Sequence, residues 1–426
     1  MKLRKVGWRR MILAAAGMTV VWLIGVAVGA SGTNISTRSS TAPLGHPKEK
    51  TAPGAAVPLS ASHALMQAGG QAGSQGLMSD QIFKNVQVLK GIPIDDFMGT
   101  MGIMSAALSF CCNECHTGAG TDKVVWESDT PRKVTARRMV TMVATINQAN
   151  FGGRQVVTCW TCHRGRDRPV TTPALDTVYG MPIVEPDDIQ VRAEGGVPTV
   201  NQIIDKYLQA IGGPQRLAGV TSYSATAASV GFGGFGGGGQ VEIFAKAPDQ
   251  RATYIHFADP ERGDSTRTYN GRTGWIATPL TVVRKYPLSG AELDGAKLDA
   301  QMGFPGQIRQ VLTGLRVVLP ATIDEKEVWV VQGNGPRGVV ATLYFDKDSG
   351  LLVRSVRFGN SPIGRVPTQV DYADYREVGR SGIKIPFRWI FAWLDGRDTF
   401  ELKEVQLNVA IDASKFGEPN PMAPRR

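Results

Sequence analysis

Residues 94–116 read IDDFMGTMGIMSAALSFCCNECH, and two patterns meet in them. From Ile94 to Leu108 the spacing predicts a helix. Asp95 and Asp96 stand in its first turn, where the helix dipole favours negative charge, and Met98, Met101 and Met104 recur every three residues. The stretch closes on Cys112-Asn113-Glu114-Cys115-His116, a CxxCH motif. The same order returns further on. Pro131 to Ala149, PRKVTARRMVTMVATINQA, has helical spacing and carries Met139 and Met142, and Cys159-Trp160-Thr161-Cys162-His163 is a second CxxCH. Two copies of helix followed by motif make this part of the chain small and mostly α-helical.

The motifs decide the chemistry. A redox dithiol uses CxxC but needs neither the adjoining histidine nor a second copy. A structural zinc site would gather both pairs as four thiolates on one ion and leave the histidines idle. Covalent attachment of haem c uses every residue: two thiols three positions apart reach the two vinyl groups of one porphyrin, and the next histidine becomes the proximal ligand of the iron. The chain is therefore expected to carry two covalently bound haem c groups, on Cys112 and Cys115 with His116, and on Cys159 and Cys162 with His163. Cys111, the fifth cysteine, is left over, either packed beside a haem or bridging two chains.

The sixth ligand of each iron has to come from elsewhere, and no spare histidine lies in this segment. A single methionine is more often core packing. Two methionine helices, each running into a haem motif, point instead to one thioether ligand per helix.

Flanking segments fix the setting. Lys2, Arg4, Lys5, Arg9 and Arg10 precede the uncharged apolar run Met11–Ala30, long enough for one transmembrane helix with the remainder outside the cytoplasm. Cleavage after Val28-Gly29-Ala30 would instead release a periplasmic protein. Residues 31–78 are rich in Ala, Gly, Ser, Thr and Pro and read as a flexible linker, with His46 and His63 as solvated residues in it. The haem segment then covers 79–170, a second linker 171–197, a β-rich domain 198–416, and a tail 417–426. The net charge of +10 brings no nucleic-acid-reading motif with it, and nucleic acid is not an expected partner. Arg137, Arg138, Arg154, Arg164, Arg166 and Arg168 are candidates to neutralise haem propionates.

Beyond residue 198 the periodicity changes. Ile203, Ile204, Tyr207, Leu208 and Ile211 make one face of a short helix that Gly212-Gly213 stops. Strand-length runs follow, among them QVEIFAK, RATYIHF, KEVWVVQG, VVATLYFD and TFELKEVQLNVAI, separated by turns such as Asn270-Gly271 and Asp395-Gly396. They predict a meandering antiparallel sheet, with a helical interruption over about 291–315 crossing its concave face. GFGGFGGGG, residues 231–239, lacks the lysine and following helix of a phosphate loop and reads as a hairpin tip. His256 reads as a satisfied sheet residue. The whole is a multidomain α + β chain: an N-terminal transmembrane helix, a dihaem domain, and an antiparallel β half-barrel with helices.

The stretches KNVQVLKGIPIDDFMGTMGIMSAALSFCCNECH and KVTARRMVTMVATINQANFGGRQVVTCWTCHRGRDRP closely resemble one dihaem half of the cytochrome c subunit of photosynthetic reaction centres. The resemblance implies Met101 opposite His116 on the first iron and Met139 opposite His163 on the second, with Met142 one turn away as the alternative. Full members of that family carry four CxxCH motifs, whereas this chain has two. The loop QANFGGRQ also lacks the histidine that serves the other half, so a free-standing dihaem module is implied. YFDKDSGLLVRSVRF and VDYADYREVGRSGIKIPFRW resemble the LolA-like lipoprotein-carrier half-barrels, which implies a curved sheet with an apolar hollow and a lipid as its ligand.

The expected function is electron transfer between periplasmic or membrane redox partners, a reaction centre among them. Iron with both axial positions filled offers no open site, which argues against an enzyme. The alternatives are a dihaem peroxidase, which needs one methionine displaced, and a hydrophobic-ligand-binding protein with accessory haems.

Overall fold

The structure, a computed structural model, describes residues 76–121, 123–180, 189–231, 238–258, 263–279 and 282–420. The expected anchor and first linker lie outside these, apart from residues 76–78, as does most of the glycine-rich stretch. Among the described residues no helix is long and apolar enough to cross a membrane.

The chain is α + β, with its helices concentrated before the sheet. A first turn, α1 (Ser79–Ile82), leads to α2 (Ile94–Leu108), whose N-cap is Pro93 and whose C-cap, Ser109, turns left-handed at φ 57°. The buried side of α2 consists of Ile94, Asp95, Gly99, Thr100, Gly102, Ile103 and Ala107. These are mostly small, so the helix backbone lies close to its support: a Cβ on Gly102 would stand 2.9 Å from the Trp393 ring. The first CxxCH forms α3 (Cys112–Cys115). The long helix α4 (Pro131–Phe151) starts on a Thr130 cap that accepts from the Lys133 amide, with Pro131 at the first position, and ends at Gly152 at φ 61°. The second motif forms α5 (Cys159–His163), and α6 (Leu175–Tyr179) follows.

The helix expected at the start of the β-rich part is α7 (Val200–Ala210), opened by a capping box between Thr199 and Gln202. Its Ile203, Ile204, Tyr207 and Leu208, with Ile211 beyond it, are buried against the sheet. After α8 (Pro214–Ala218), thirteen strands among the described residues form one antiparallel sheet: β1 (Ser222–Ser229), β2 (Gly239–Lys246), β3 (Gln250–Phe257), β4 (Asp264–Tyr269), β5 (Gly274–Ala277), β6 (Lys285–Pro287), β7 (Thr313–Ile323), β8 (Lys326–Asn334), β9 (Val340–Asp346), β10 (Leu352–Ser361), β11 (Gly364–Glu377), β12 (Lys384–Trp393) and β13 (Gly396–Leu407). Their spatial order is β6-β5-β4-β3-β2-β1-β13-β12-β11-β10-β9-β8-β7. Two meanders are thus joined by the pairing of β1 (Ser222–Ser229) with β13 (Gly396–Leu407), in a register that puts Tyr223 opposite Leu407. Residues of β2–β5 and of β9–β13 line one common cavity, so the sheet is curled.

The expected crossing over 291–315 is shorter than its reading. Helix α9 (Gly290–Met302) contributes Ala296, Leu298, Asp299 and Met302 to the cavity wall, and a turn and α10 (Ile308–Val311) follow. Strand β7 (Thr313–Ile323) already begins at Thr313, because Val317 and Val318 pair with Val331 and Val330 of β8 (Lys326–Asn334). β7 carries Pro320 beside a register shift, which an edge strand tolerates. The other edge, β6 (Lys285–Pro287), is three residues long.

Candidate functional site

The first motif sits on a single turn, its shape fixed from three sides. The His116 amide donates to the Cys112 carbonyl at 2.9 Å, and the Thr130 hydroxyl that opens α4 reaches the Cys115 carbonyl at 3.0 Å. Lys133 donates to the carbonyls of Trp126 and Ser128 at 2.8 and 2.7 Å, so the intervening loop is held against the motif. The Trp126 ring tilts against His116 with centroids 5.0 Å apart. His116 is half-buried, and its Nδ1 is buried without a hydrogen-bond partner. Burial, reinforced by the Lys133 ammonium, lowers the histidine pKa and favours the neutral form that ligates metals. Burial pushes the Cys112 and Cys115 thiols up.

The second motif is positioned by different residues. Thr158 caps α5 in a reciprocal box with Thr161. Asn147, buried on α4, accepts from the amides of Val156 and Val157 at 3.1 and 2.9 Å and donates to the Val157 carbonyl at 2.7 Å. That pins the loop entering Cys159. After His163, the amides of Gly165 and Arg166 donate to the Ala107 carbonyl near the end of α2, at 2.9 and 3.2 Å. His163 Nδ1 lies 3.0 Å from the Arg166 carbonyl. A carbonyl can only accept, so Nδ1 carries the proton and Nε2 keeps its lone pair for a metal.

These contacts cross the two repeats, with α2 packed on the second motif and α4 bonded to the first. Cys159, Met101 and Met104 are half-buried against one apolar cluster of Leu89, Ile103, Val140, Ile363 and Val366. Burial raises the Cys159 thiol. Met98 and Met139 are half-buried, and Met142 is 42% exposed. No disulfide joins any of the five cysteines, and among the described residues no three His, Cys, Asp or Glu side chains gather where one metal ion could be held. The two motifs therefore do not converge on a shared zinc. The donor set fits haem c instead: each copy offers two thiols one helical turn apart, then a histidine, one fixed in the metal-ligating tautomer and one with a buried, unpartnered ring nitrogen.

Among the arginines proposed for propionates, Arg137 is engaged by Asp129 at 2.8 Å, while Arg138, Arg154, Arg164, Arg166 and Arg168 are exposed. His256 bonds Asp264 at 2.9 Å and Glu242 at 3.3 Å, a satisfied sheet residue. Sequence reading passed over Asn147, Trp126 and Lys133. The Thr130-Pro131 and Thr158-x-x-Thr161 cap patterns are the sequence signals that could have marked where α4 and α5 begin.

A second concavity, about 400 Å³, lies inside the curled sheet beneath α9. Its wall is largely apolar, with Ile243, Ile255, Phe391 and Phe400 among its residues, and Arg251, Arg267, Arg357 and Asp299 line it as well.

Residues 29–179 match the family model described as photosynthetic reaction centre cytochrome C subunit. The photosynthetic reaction center cytochrome c subunit of Thermochromatium tepidum is 36% identical over 123 residues, 26% of this chain and 28% of that protein. Its counterpart in Roseobacter denitrificans is 36% identical over 125 residues, 26% of this chain and 33% of that protein. The chain thus spans about a third or less of these curated relatives. Among solved structures, a LolA superfamily protein from Nitrosomonas europaea covers 52% of this chain and 99% of its own, at 16% identity and a TM-score of 0.36. A putative outer membrane lipoprotein-sorting protein domain from Vibrio parahaemolyticus covers 50% and 97%, at 10% identity and a TM-score of 0.33.

Proposed function

We propose that residues 79–170 are a two-haem c-type electron-transfer unit. The observation that carries this is the pair of CxxCH turns, each presenting two thiols and a histidine whose ring is held in place by its surroundings. In the proposal Cys112 and Cys115 form the thioethers of the first group and His116 is its proximal ligand. Cys159, Cys162 and His163 do the same for the second. Met101 would supply the sixth ligand of the first group and Met139 that of the second. Met142 is the weaker alternative to Met139, because its exposure leaves it little enclosed. Bound haem iron supplies a one-electron redox couple, and methionine as sixth ligand raises its potential relative to a second histidine.

The chain's own part is binding and tuning. The Arg166 carbonyl fixes the His163 tautomer, and burial, with Lys133 nearby, favours the neutral form of His116. Were one histidine and one methionine to ligate each iron, no coordination position would be left for a substrate, which favours a carrier over a peroxidase. The basic cluster and apolar run of residues 2–30 support anchoring at a membrane with the haem unit outside the cytoplasm. Redox partners are then other carriers or a membrane complex of the reaction-centre kind. The apolar cavity of the sheet supports a lipid-like ligand for the β-rich part, residues 198–416.

A pyridine haemochrome assay combined with intact-mass analysis tests the central reading. Two haems per chain are expected, and any other number ends it. Peroxide turnover at rates matching the electron exchange would replace the carrier by a peroxidase.

A further inference from the structure

We propose that the cavity inside the sheet takes an amphiphile with one anionic head, of the long-chain monocarboxylate class, with its carboxylate on Arg251. This rests on the reading of the cavity as a ligand site and adds its head-group chemistry.

The charges along the wall do not balance. Glu292 lies 3.5 Å from Arg267 and 3.4 Å from Arg357, and Arg357 also pairs with Asp299 at 3.4 Å. Two carboxylates thus balance the charge of two guanidiniums, although Arg267 Nη2 and Arg357 Nε stay buried without a hydrogen-bond partner. Arg251 is the third guanidinium, enclosed by the sheet and α9, and its hydrogen bond goes to a neutral phenol, the Tyr223 hydroxyl, at 2.9 Å. Asp299 is near enough to act on Arg251 too, but it is already shared with Arg357. A guanidinium has five N–H donors, and a cation out of bulk water needs a counter-charge. Among these enclosed groups the excess is a single positive charge, which a monoanion matches and a neutral head does not.

A second observation is independent of that count. Thr368, 3% exposed, lines the same cavity, and its hydroxyl is buried with no hydrogen-bond partner. Ser355 and Tyr372 add two more hydroxyls to the wall, 3.2 Å from each other. Buried polar groups ordinarily find partners, so an unpaired hydroxyl in the wall of the same cavity as Arg251 marks a place for a ligand's oxygens. The rest of the wall suits an alkyl chain, and a volume of about 400 Å³ falls in the range of ligand sites. Lys384, exposed at the rim, favours entry of an anion.

The test uses the full-length haem-loaded protein, delipidated and titrated by calorimetry with hexadecanoic acid, its methyl ester and a hexadecyl phosphate. One acid per chain is expected, bound roughly 10- to 100-fold more tightly than the ester, as for a charge-assisted hydrogen bond. Arg251→Gln is expected to bring the acid down to the ester, and Thr368→Val to weaken the acid by a smaller factor. The haem spectrum and thermal midpoint report whether each variant is folded. Equal binding of acid and ester by the unaltered protein overturns the anionic head, without any variant being needed, and leaves an apolar site standing. Tighter binding of the phosphate overturns the carboxylate. Failure of all three compounds to bind removes the ligand-site reading itself and the proposal with it.

Discussion

Cys111 and Cys112 are adjacent, and the register of the motif separates their roles. Cys112 opens the helical turn that ends at Cys115, whereas Cys111 is the N-cap residue outside it and exposed. Replacing Cys112 by serine should leave one haem attached by a single thioether, or lost, while Cys111→Ser should keep both haems fully attached. Intact-mass spectrometry after acid denaturation reads the difference directly, and loss of attachment in the Cys111 variant would put the motif in the wrong frame. Two neighbouring aspartates give a prediction about pH. Burial, with Asp95 and Glu292 close by, pushes Asp96 up to about 7. Burial likewise pushes Asp95 up to about 6, although Ser289 donates to it from both its amide and its hydroxyl. A folded pKa above the unfolded one means the protonated form is favoured by folding. The associated stability is whole below about pH 4 and is lost as the pH rises through about 6 for Asp95 and about 7 for Asp96. Asp96→Asn should therefore raise stability at pH 8 by roughly 1–3 kcal/mol and flatten the decline between pH 4 and 7. Urea melts across that range decide it, and an unchanged pH profile would show that Asp96 does not titrate there.

At the scale of elements, the small residues of α2 matter as much as its methionines. Gly102 faces the Trp393 ring and Leu394, and Gly99 faces Val366. A β-branched side chain at 102 has nowhere to go, so Gly102→Val should cost roughly 1–3 kcal/mol in denaturant unfolding. It should also weaken the long-wavelength absorption of methionine-ligated iron if Met101 rides on that helix. Asn147→Ala removes the three bonds that hold residues 156–157 and should destabilise by a similar ~1–3 kcal/mol, with the second haem attached less completely than the first. The helices themselves were legible, since α2 and α4 announce themselves by spacing and by the motif that follows each, α2 also by its acidic first turn. What they pack against was not. Nothing in GTMGIM says that its second glycine meets a tryptophan nearly three hundred residues later, because periodicity reports a face and not its partner. The same limit explains the sheet. The central strands read as alternating apolar runs, but the two edge strands β6 and β7 were missed, one being three residues long and the other carrying a proline. The β1–β13 pairing that joins the meanders is a contact between distant segments that no local signal encodes. The cavity's unbalanced arginine depends on all of this at once, since Arg251 and Arg357 look alike in sequence and differ only in the carboxylates that folding brings to them.

Across the molecule, the haem-bearing segment and the sheet share a core. Ile103 and Val140 from the helices join Ile363 and Val366 from the β10–β11 (Leu352–Ser361, Gly364–Glu377) hairpin region in one apolar cluster, with Trp393 and Leu394 against it. Ile94 joins Tyr269, Tyr286 and Leu288 in another. Polar bonds cross the same boundary: Asp95 to Ser289 at 2.6 Å, next to the start of α9, and the Gln155 amide to the Ser361 carbonyl at 2.9 Å. Each buried aliphatic side chain is worth roughly 1.5–3 kcal/mol relative to exposure, so separating the two parts would uncover more stability than a small helical segment can spare. The helix carrying Met101 is therefore tied at its first turn to the helix that roofs the cavity. We expect one cooperative unfolding transition, with the haem absorbance and the β-sheet circular dichroism changing together in denaturant, and we expect a fragment ending near residue 180 to lose the native haem spectrum. Asp95→Ala with Ser289→Ala should pull the two signals apart, the haem segment melting first. Two well-separated transitions in the unaltered protein would show that the shared core contributes little and that the haem unit folds independently of the sheet.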